Sequence, residues 1–501
     1  LAAGAATAWG QAPAPIAPAG GYSPAVMAGD VIQAQNTAPI MMPPITPGPP
    51  GDPMGLGPTA SAGPPPGPMY PMPGPYAEPL YQPGLPMPGA GGVDGGYGGI
   101  PRWEFWGNYM LEFAARQPSP YPLLTTSAPS QGGILGQSST LVLAGQSPIS
   151  YGAISGMQLG GLFWGDDDRR FGAYVNAFYL ENKTISTKIG MSGTGSGLTP
   201  FDIPVLARPF IDTSTGPAAL LVGGPGLGVA SAIVTTSTET WGIEASGAFN
   251  LFRTAPGSKW LITTDLLIGY KFLELKEDLA VITNTDVNAV VTTPVVVFNG
   301  GFPVVVGTTT TPVPISVAGV TVTAPGSINI QDRFTTQNLF NGVTIGLRNE
   351  MRYGMFSFEA IGKIGLGDMH QILQITGSTN VTSSTGPTGS ALSAGSAFGG
   401  LYANASNIGR YAHDDFSVIP EVQGNFGINL TRSLSAFVGY NFMYMNNVIR
   451  PGDQMNPNIN STSIPLSSTY GAAGTAATPR PNFVITDYWL MGVNFGVSFK
   501  Y

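Results

Sequence analysis

Cysteine is absent from the 501 residues. That excludes a disulfide framework, a thiolate metal site, a cysteine nucleophile and a lipidated N-terminal cysteine. Charge is scarce at 10% of residues. Even so, no window supplies the roughly 18 or more consecutive apolar residues that a spanning helix needs, so a helical membrane protein is excluded. Lys and Arg do not occur before Arg102, and the net charge is −8 with a pI near 4.8. Without a basic cluster there is no electrostatic footprint for nucleic acid. Histidine occurs only twice, as His370 and His413.

What is abundant is glycine, 70 residues, and proline, 47. Much of this falls in residues 1–101, for example Met41 to Pro50 and Gly63 to Pro75. Proline fixes φ and removes a donor, so this region favours polyproline II and turns over a packed core. It is expected to form an extended Pro/Gly-rich arm on the periplasmic side, lying along a neighbouring subunit or its own barrel. The chain opens on Leu1 with no basic region before the apolar Leu1–Ala8. We expect an exported protein whose signal peptide has been removed.

From Arg102 onward apolar and polar residues alternate with period two, the mark of strands. About ten candidates, possibly twelve, have membrane-spanning length: 102–114, 154–166, 169–182, 237–253, 259–277, 338–353, 355–370, 415–431, 434–447 and 486–501. Short links at 165–170, 253–259, 353–354 and 430–433 alternate with long ones at 115–153, 183–236, 278–337, 371–414 and 448–485. Tight turns on one side and long loops on the other characterise an outer-membrane barrel. Residues 102–501 are therefore expected to form an all-β, antiparallel up-and-down transmembrane barrel.

Strand faces agree. In the last strand Trp489, Met491, Val493, Phe495, Val497, Phe499 and Tyr501 would face lipid, opposite Asn494, Ser498 and Lys500. Charges collect on the lumen face: Glu104, Glu112, Glu244, Asp265, Lys271, Arg348, Glu350, Glu359, Lys363, Glu421 and Lys500. Trp103, Trp164, Trp260, Tyr440, Phe442, Tyr444 and Trp489 are candidates for interfacial girdles. The long loops, rich in Thr, Val, Ser and Gly as in Val290–Val322, are expected to form a β-rich external layer that roofs the barrel or makes subunit contacts.

Catalytic chemistry finds little purchase. His370 and His413 have acidic neighbours, but a metal or acid–base site needs further ligands the sequence does not place. Gly223–Gly228 lacks the Lys-Ser/Thr pair of a phosphate loop, and Pro225 removes an amide that phosphate would want. Asp166–Asp168 with Arg169 and Arg170 reads as a hairpin turn. The lumen charges could set a transverse field that selects solutes. The favoured reading is that they pair and fill a narrow interior, since ten strands enclose little more than the eight whose side chains fill the lumen.

The strings Ile134-Leu-Gly-Gln137, Leu206-Ala-Arg-Pro-Phe210, Asp332-Arg-Phe334 with Asn341-Gly342, Gly367-Asp-Met-His-Gln371, Asn407-Ile-Gly-Arg-Tyr411, Ile449-Arg-Pro-Gly-Asp453 and the strand Trp489–Tyr501 resemble planctomycete outer-membrane proteins of the beta-barrel porin-seven family. The resemblance covers about 102–501 and implies an outer-membrane barrel with no catalytic residues. A non-enzymatic structural or assembly role without cofactors is expected, with a porin for small polar solutes or ions as the alternative. Outer-membrane lipid is the expected partner. By analogy with porin-like barrels, the chain is expected to form a trimer or larger ring through its arm and loops.

Overall fold

The structure is a computed structural model and describes residues 102–191, 203–255, 258–288, 290–299, 302–312, 315–318, 320–322, 325–384, 392–472 and 477–501. The arm expected over 1–101 lies outside the described residues.

Ten strands form the barrel: β1 (Trp103–Ala114), β2 (Ala153–Trp164), β3 (Phe171–Gly190), β4 (Gly228–Arg253), β5 (Trp260–Val287), β6 (Gly326–Tyr353), β7 (Phe356–Ser384), β8 (Gly409–Asn429), β9 (Leu434–Ile449) and β10 (Ile485–Lys500). Each pairs antiparallel with its chain neighbour, and β10 pairs with β1 from Glu104↔Lys500 to Ala114↔Leu490. At the seam Trp103 N–H donates to the Tyr501 carbonyl (2.7 Å) and Tyr501 N–H to the Trp103 carbonyl (2.8 Å). A closed ring leaves no strand edge to expose unpaired amides to lipid, the condition for crossing a bilayer with strands.

The expected short turns and long links stand where the alternation put them, but β3 to β8 run well beyond the predicted ends. β6 begins at Gly326, not 338, and β7 reaches Ser384, not 370. The reason is visible along β6. Between Asn338 and Arg352 the inward residues are mostly polar, glycine or charged, and Val343, Ile345 and Leu347 are exposed outside. Between Ile328 and Phe334 the faces exchange roles. Ile328, Ile330 and Phe334 are buried inside, while Asn329, Gln331 and Arg333 point outward. The strand leaves lipid near this inversion and continues as the wall of a water-soluble core. An alternation scored only for apolar-out residues stops there.

The long loops fill that upper core. Leu206–Asp212 joins Pro122–Thr126, Leu141–Gly145, Gly216–Gly223 and Asn458–Ile459 in a five-stranded sheet. Its Leu124, Leu206 and Val222 pack with Tyr402 and Ile459 against Val281, Phe334, Leu373 and Ile375 of the wall. Val290–Asn299 pairs with Phe302–Pro312, and Ile315–Val317 with Val320–Val322, in the β-rich hairpins expected over Val290–Val322. Gly223–Gly228 is a turn closed by Gly224 N–H on the Gly228 carbonyl (2.9 Å), and Gly226 takes a φ of +80° there.

Outside, Phe495, Val497 and Phe499 are about half exposed, with Tyr501 80% exposed, while Asn494 and Ser498 are buried. Trp103 packs against Phe163 (4.1 Å) and Trp260 against Tyr353 (4.5 Å), rings tilted, at the short-turn end, as an interfacial girdle would. Trp164 is a correction. It is only 2% exposed and packs inside with Leu162, Tyr174 and Leu267.

Deleting residues 499–501 removes the pairing of Phe499 and Lys500 with β1 and the terminal seam bonds. The truncated protein is expected to lose the compact, heat-modifiable band of a folded barrel on cold SDS gels. Retention of that band would contradict closure through this seam.

Candidate functional site

The lumen is where this fold gathers its chemistry. Because side chains alternate across each strand, one register places Glu244 opposite Lys271, Asp265 opposite Arg348, Lys363 opposite Glu421 and Glu104 opposite Lys500. These neighbours then reach across the interior, in tiers.

In the lowest tier Arg348 of β6 contacts Glu359 of β7 (2.6 Å), Glu104 of β1 (2.9 Å), Asp265 of β5 (3.4 Å) and Glu350 (3.5 Å). Lys500 of β10 bridges Glu104 (2.9 Å) and Glu350 (2.7 Å), and Arg352 adds a bond to Glu350 (2.7 Å). In a ring of ten, β1 and β6 are diametrically opposed, so the Arg348–Glu104 pair spans the bore. In the middle tier Lys363 of β7 pairs with Glu244 of β4 (2.6 Å), and Lys271 of β5 pairs with Glu421 of β8. Trp106 and Tyr174 fill the space beside them, rings 5.4 Å apart, with the Lys363 ammonium 5.4 Å from the Tyr174 ring.

Ten of the eleven lumen residues singled out in the sequence thus meet in two ion-pair networks. The exception is Glu112, wholly buried, which joins no ion pair among the described residues and has the Asn441 amide beside it. Two small cavities of about 40 and 60 Å³ lie between the networks and the walls, enough for a few waters each.

Above them a third tier joins loop to wall. Arg450, just after β9, donates twice to Glu277 of β5 (2.6 and 2.8 Å) and to the carbonyls of Ala115 (3.2 Å) and Arg116 (2.6 Å). Tyr151 O–H adds a bond to Glu277 (3.3 Å), and the Arg450 guanidinium lies over the Tyr488 ring. Higher still, Arg208 of the loop sheet meets Asp332 of β6 at 2.5 Å, with both side chains fully buried. Asp332 also accepts from the amides of Ala403 (2.7 Å) and Leu401 (3.2 Å). The sequence reading named neither latch as a site, although Arg208, Asp332 and Arg450 lie in strings it singled out. Their partners on the wall are far away in the chain, so no local spacing reveals them.

On the outer face His370 bonds the carboxylate of Asp414, its cross-strand neighbour, whereas His413 is on the opposite face, in register with buried Gln371 and 6.0 Å from the Phe483 ring. Asp166 accepts the amides of Arg170 (2.8 Å) and Phe171 (2.9 Å) and so closes its hairpin turn. No group of three His, Cys, Asp or Glu side chains that could hold a metal ion occurs among the described residues.

Asp212, in the loop sheet, has its acidity set by opposing effects. Burial pushes its pKa up, but bonds from the Ser214 hydroxyl and from the amides of Ser214, Thr215 and Ser461 outweigh burial and hold it well below the ordinary 3.8. Ionised Asp212 therefore stabilises this turn at every pH above 3.8, and the contribution is lost only as pH falls through the lower folded value.

The sequence model of the beta barrel porin-7 (BBP7) family matches residues 107–297 and 312–501. Among solved structures, the outer membrane protease OmpT from Escherichia coli aligns at 6% identity over 80% of this chain and 96% of its own, with a TM-score of 0.31. OmpT of Vibrio cholerae, an outer membrane protein in trimer form, aligns at 7% identity over 80% of this chain and 100% of its own, with a TM-score of 0.10. No curated protein matches.

Removing one partner of a buried ion pair strands the others' charge, typically at about 3–5 kcal/mol. Arg348→Met is expected to lower unfolding stability by about that much, read as the urea midpoint of the lipid-refolded protein. An unchanged midpoint would mean that Arg348 is solvated. For Asp212→Ala, exchange protection of the Ser214, Thr215 and Ser461 amides is expected to fall at pH 7 while protection in β6 persists. In the wild type those amides should lose protection only in strong acid.

Proposed function

The chain belongs to the beta barrel porin-7 family and is an outer-membrane β-barrel protein, and from this premise we propose that it is an occluded barrel with a structural and assembly role in the envelope, non-enzymatic and exported through the periplasm. The observation that carries this reading is the Arg348 network. A guanidinium from β6 reaches carboxylates on β1, β5 and β7, so opposite walls of the bore are tied together by buried charge. Large open pores keep opposed charges apart across water; here they are in contact. The loop sheet above, latched through Arg208–Asp332 and Arg450–Glu277, adds a second obstruction. Assembly into a homo-oligomer belongs to the same proposal.

A second reading, a narrow path for small ions, is favoured by one feature: Ile361 and Gln423 line both cavities, so the two spaces adjoin. Planar-bilayer recording separates the readings. Purified protein is expected to give no steady single-channel steps, and stepwise conductance in the wild type would overturn the occluded reading. For assembly, sedimentation in detergent is expected to give a multiple of the 51.8 kDa chain; a single-chain mass would overturn that part alone.

A further inference from the structure

The upper cavity differs from the rest of the lumen in the balance of its hydrogen-bonding groups. Glu112 of β1 is wholly buried and joins no ion pair among the described residues; the side chain beside its carboxylate is the amide of Asn441. Asn176 and Asn441 line the same cavity, and the Oδ1 of each is buried and unpartnered among the described residues. The strong donors of this cavity, Lys271 and Lys363, are engaged by Glu421 and Glu244. Carboxylates are therefore in surplus over the charged donors.

The backbone is arranged to allow this. Glu112 stands opposite Gly492 of β10, which in turn stands opposite Asn441 of β9. A Cβ on Gly492 would come within 2.6 Å of the Glu112 carboxyl carbon. Only glycine lets the carboxylate lie across β10 toward the Asn441 side. Leu180, Met443 and Leu490 lie in the lining with the amide side chains of Gln158 and Gln423, and a buried carboxylate left without a counter-charge is costly. Two cations, Lys271 and Lys363, face three carboxylates, Glu112, Glu244 and Glu421, which leaves one negative charge over.

We propose that this cavity is a binding site for one monovalent alkali cation, Na⁺ or K⁺, held by the Glu112 carboxylate and the amide oxygens of Asn176 and Asn441. A hard cation takes oxygen ligands, and its single charge cancels the single excess. A divalent ion would overcompensate beside two ammonium groups. The adjoining lower cavity, lined by Ser357, Ser435 and Ser498 near the short turns, continues the polar space toward that end of the barrel. The inference does not depend on whether the barrel conducts.

The test uses the full chain refolded in detergent. Crystals soaked in rubidium chloride are expected to show an anomalous peak in contact with Glu112, absent from Glu112→Gln crystals. At constant ionic strength, replacing choline by K⁺ or Na⁺ is expected to raise the wild-type folding equilibrium by about 11-fold at ten times Kd, and to leave Glu112→Gln unchanged. If Glu112→Gln does not fold, the wild-type soak and cation series decide alone. No peak with no cation dependence, or an infrared carboxyl band of protonated Glu112 persisting in saturating K⁺ at neutral pH, would overturn the proposal.

Discussion

Everything in this barrel follows from closing a ring of ten strands. Lipid offers no partner to a backbone amide, so β10 must find β1, and the reciprocal bonds of Trp103 and Tyr501 mark where it does. Once the ring is closed with so few strands its bore is fixed, and it is narrow enough for a side chain from β6 to touch one from β1. The ion-pair tiers are a consequence of that radius. With many more strands the same residues would stand apart, each hydrated, around a water-filled channel.

The tiers also account for the composition. A chain with 10% charge places much of it where water is least available, because the outward face must satisfy lipid. Inside, a lone charge is costly but a network is tolerable: each carboxylate around Arg348 contacts a cation, and Arg348 and Lys500 each bind more than one carboxylate. Aromatic fillers such as Trp106, Trp164 and Tyr174 take up space the charges leave. The molecule is therefore polar at its axis and apolar at its membrane surface, and above the bilayer this order reverses.

That reversal explains what was legible in the sequence. Barrel class, strand number and the sidedness of the connections could be read, and the alternation put the eleven charged residues on one face, because in the membrane-spanning half residue type and facing direction obey one rule. The outward extensions of β3 to β8 were missed, since beyond residues such as Asn338 the rule changes sign while the strand continues. Trp164 was misassigned for a related reason: an aromatic at a strand end suits a girdle or a packed interior equally well, and only the facing direction decides. Arg208, Asp332, Glu277 and Arg450 were invisible as pairs, because each latch joins segments far apart in the chain.

One consequence concerns symmetry. β4 to β7 run 26 to 29 residues while β1 and β2 run 12 and β9 and β10 run 16, so the wall is tall on one side of the ring and low on the other. A plain cylinder looks the same to lipid and to neighbours from every bearing. This barrel does not: it has a heading within the plane of the membrane as well as an inside and an outside across it.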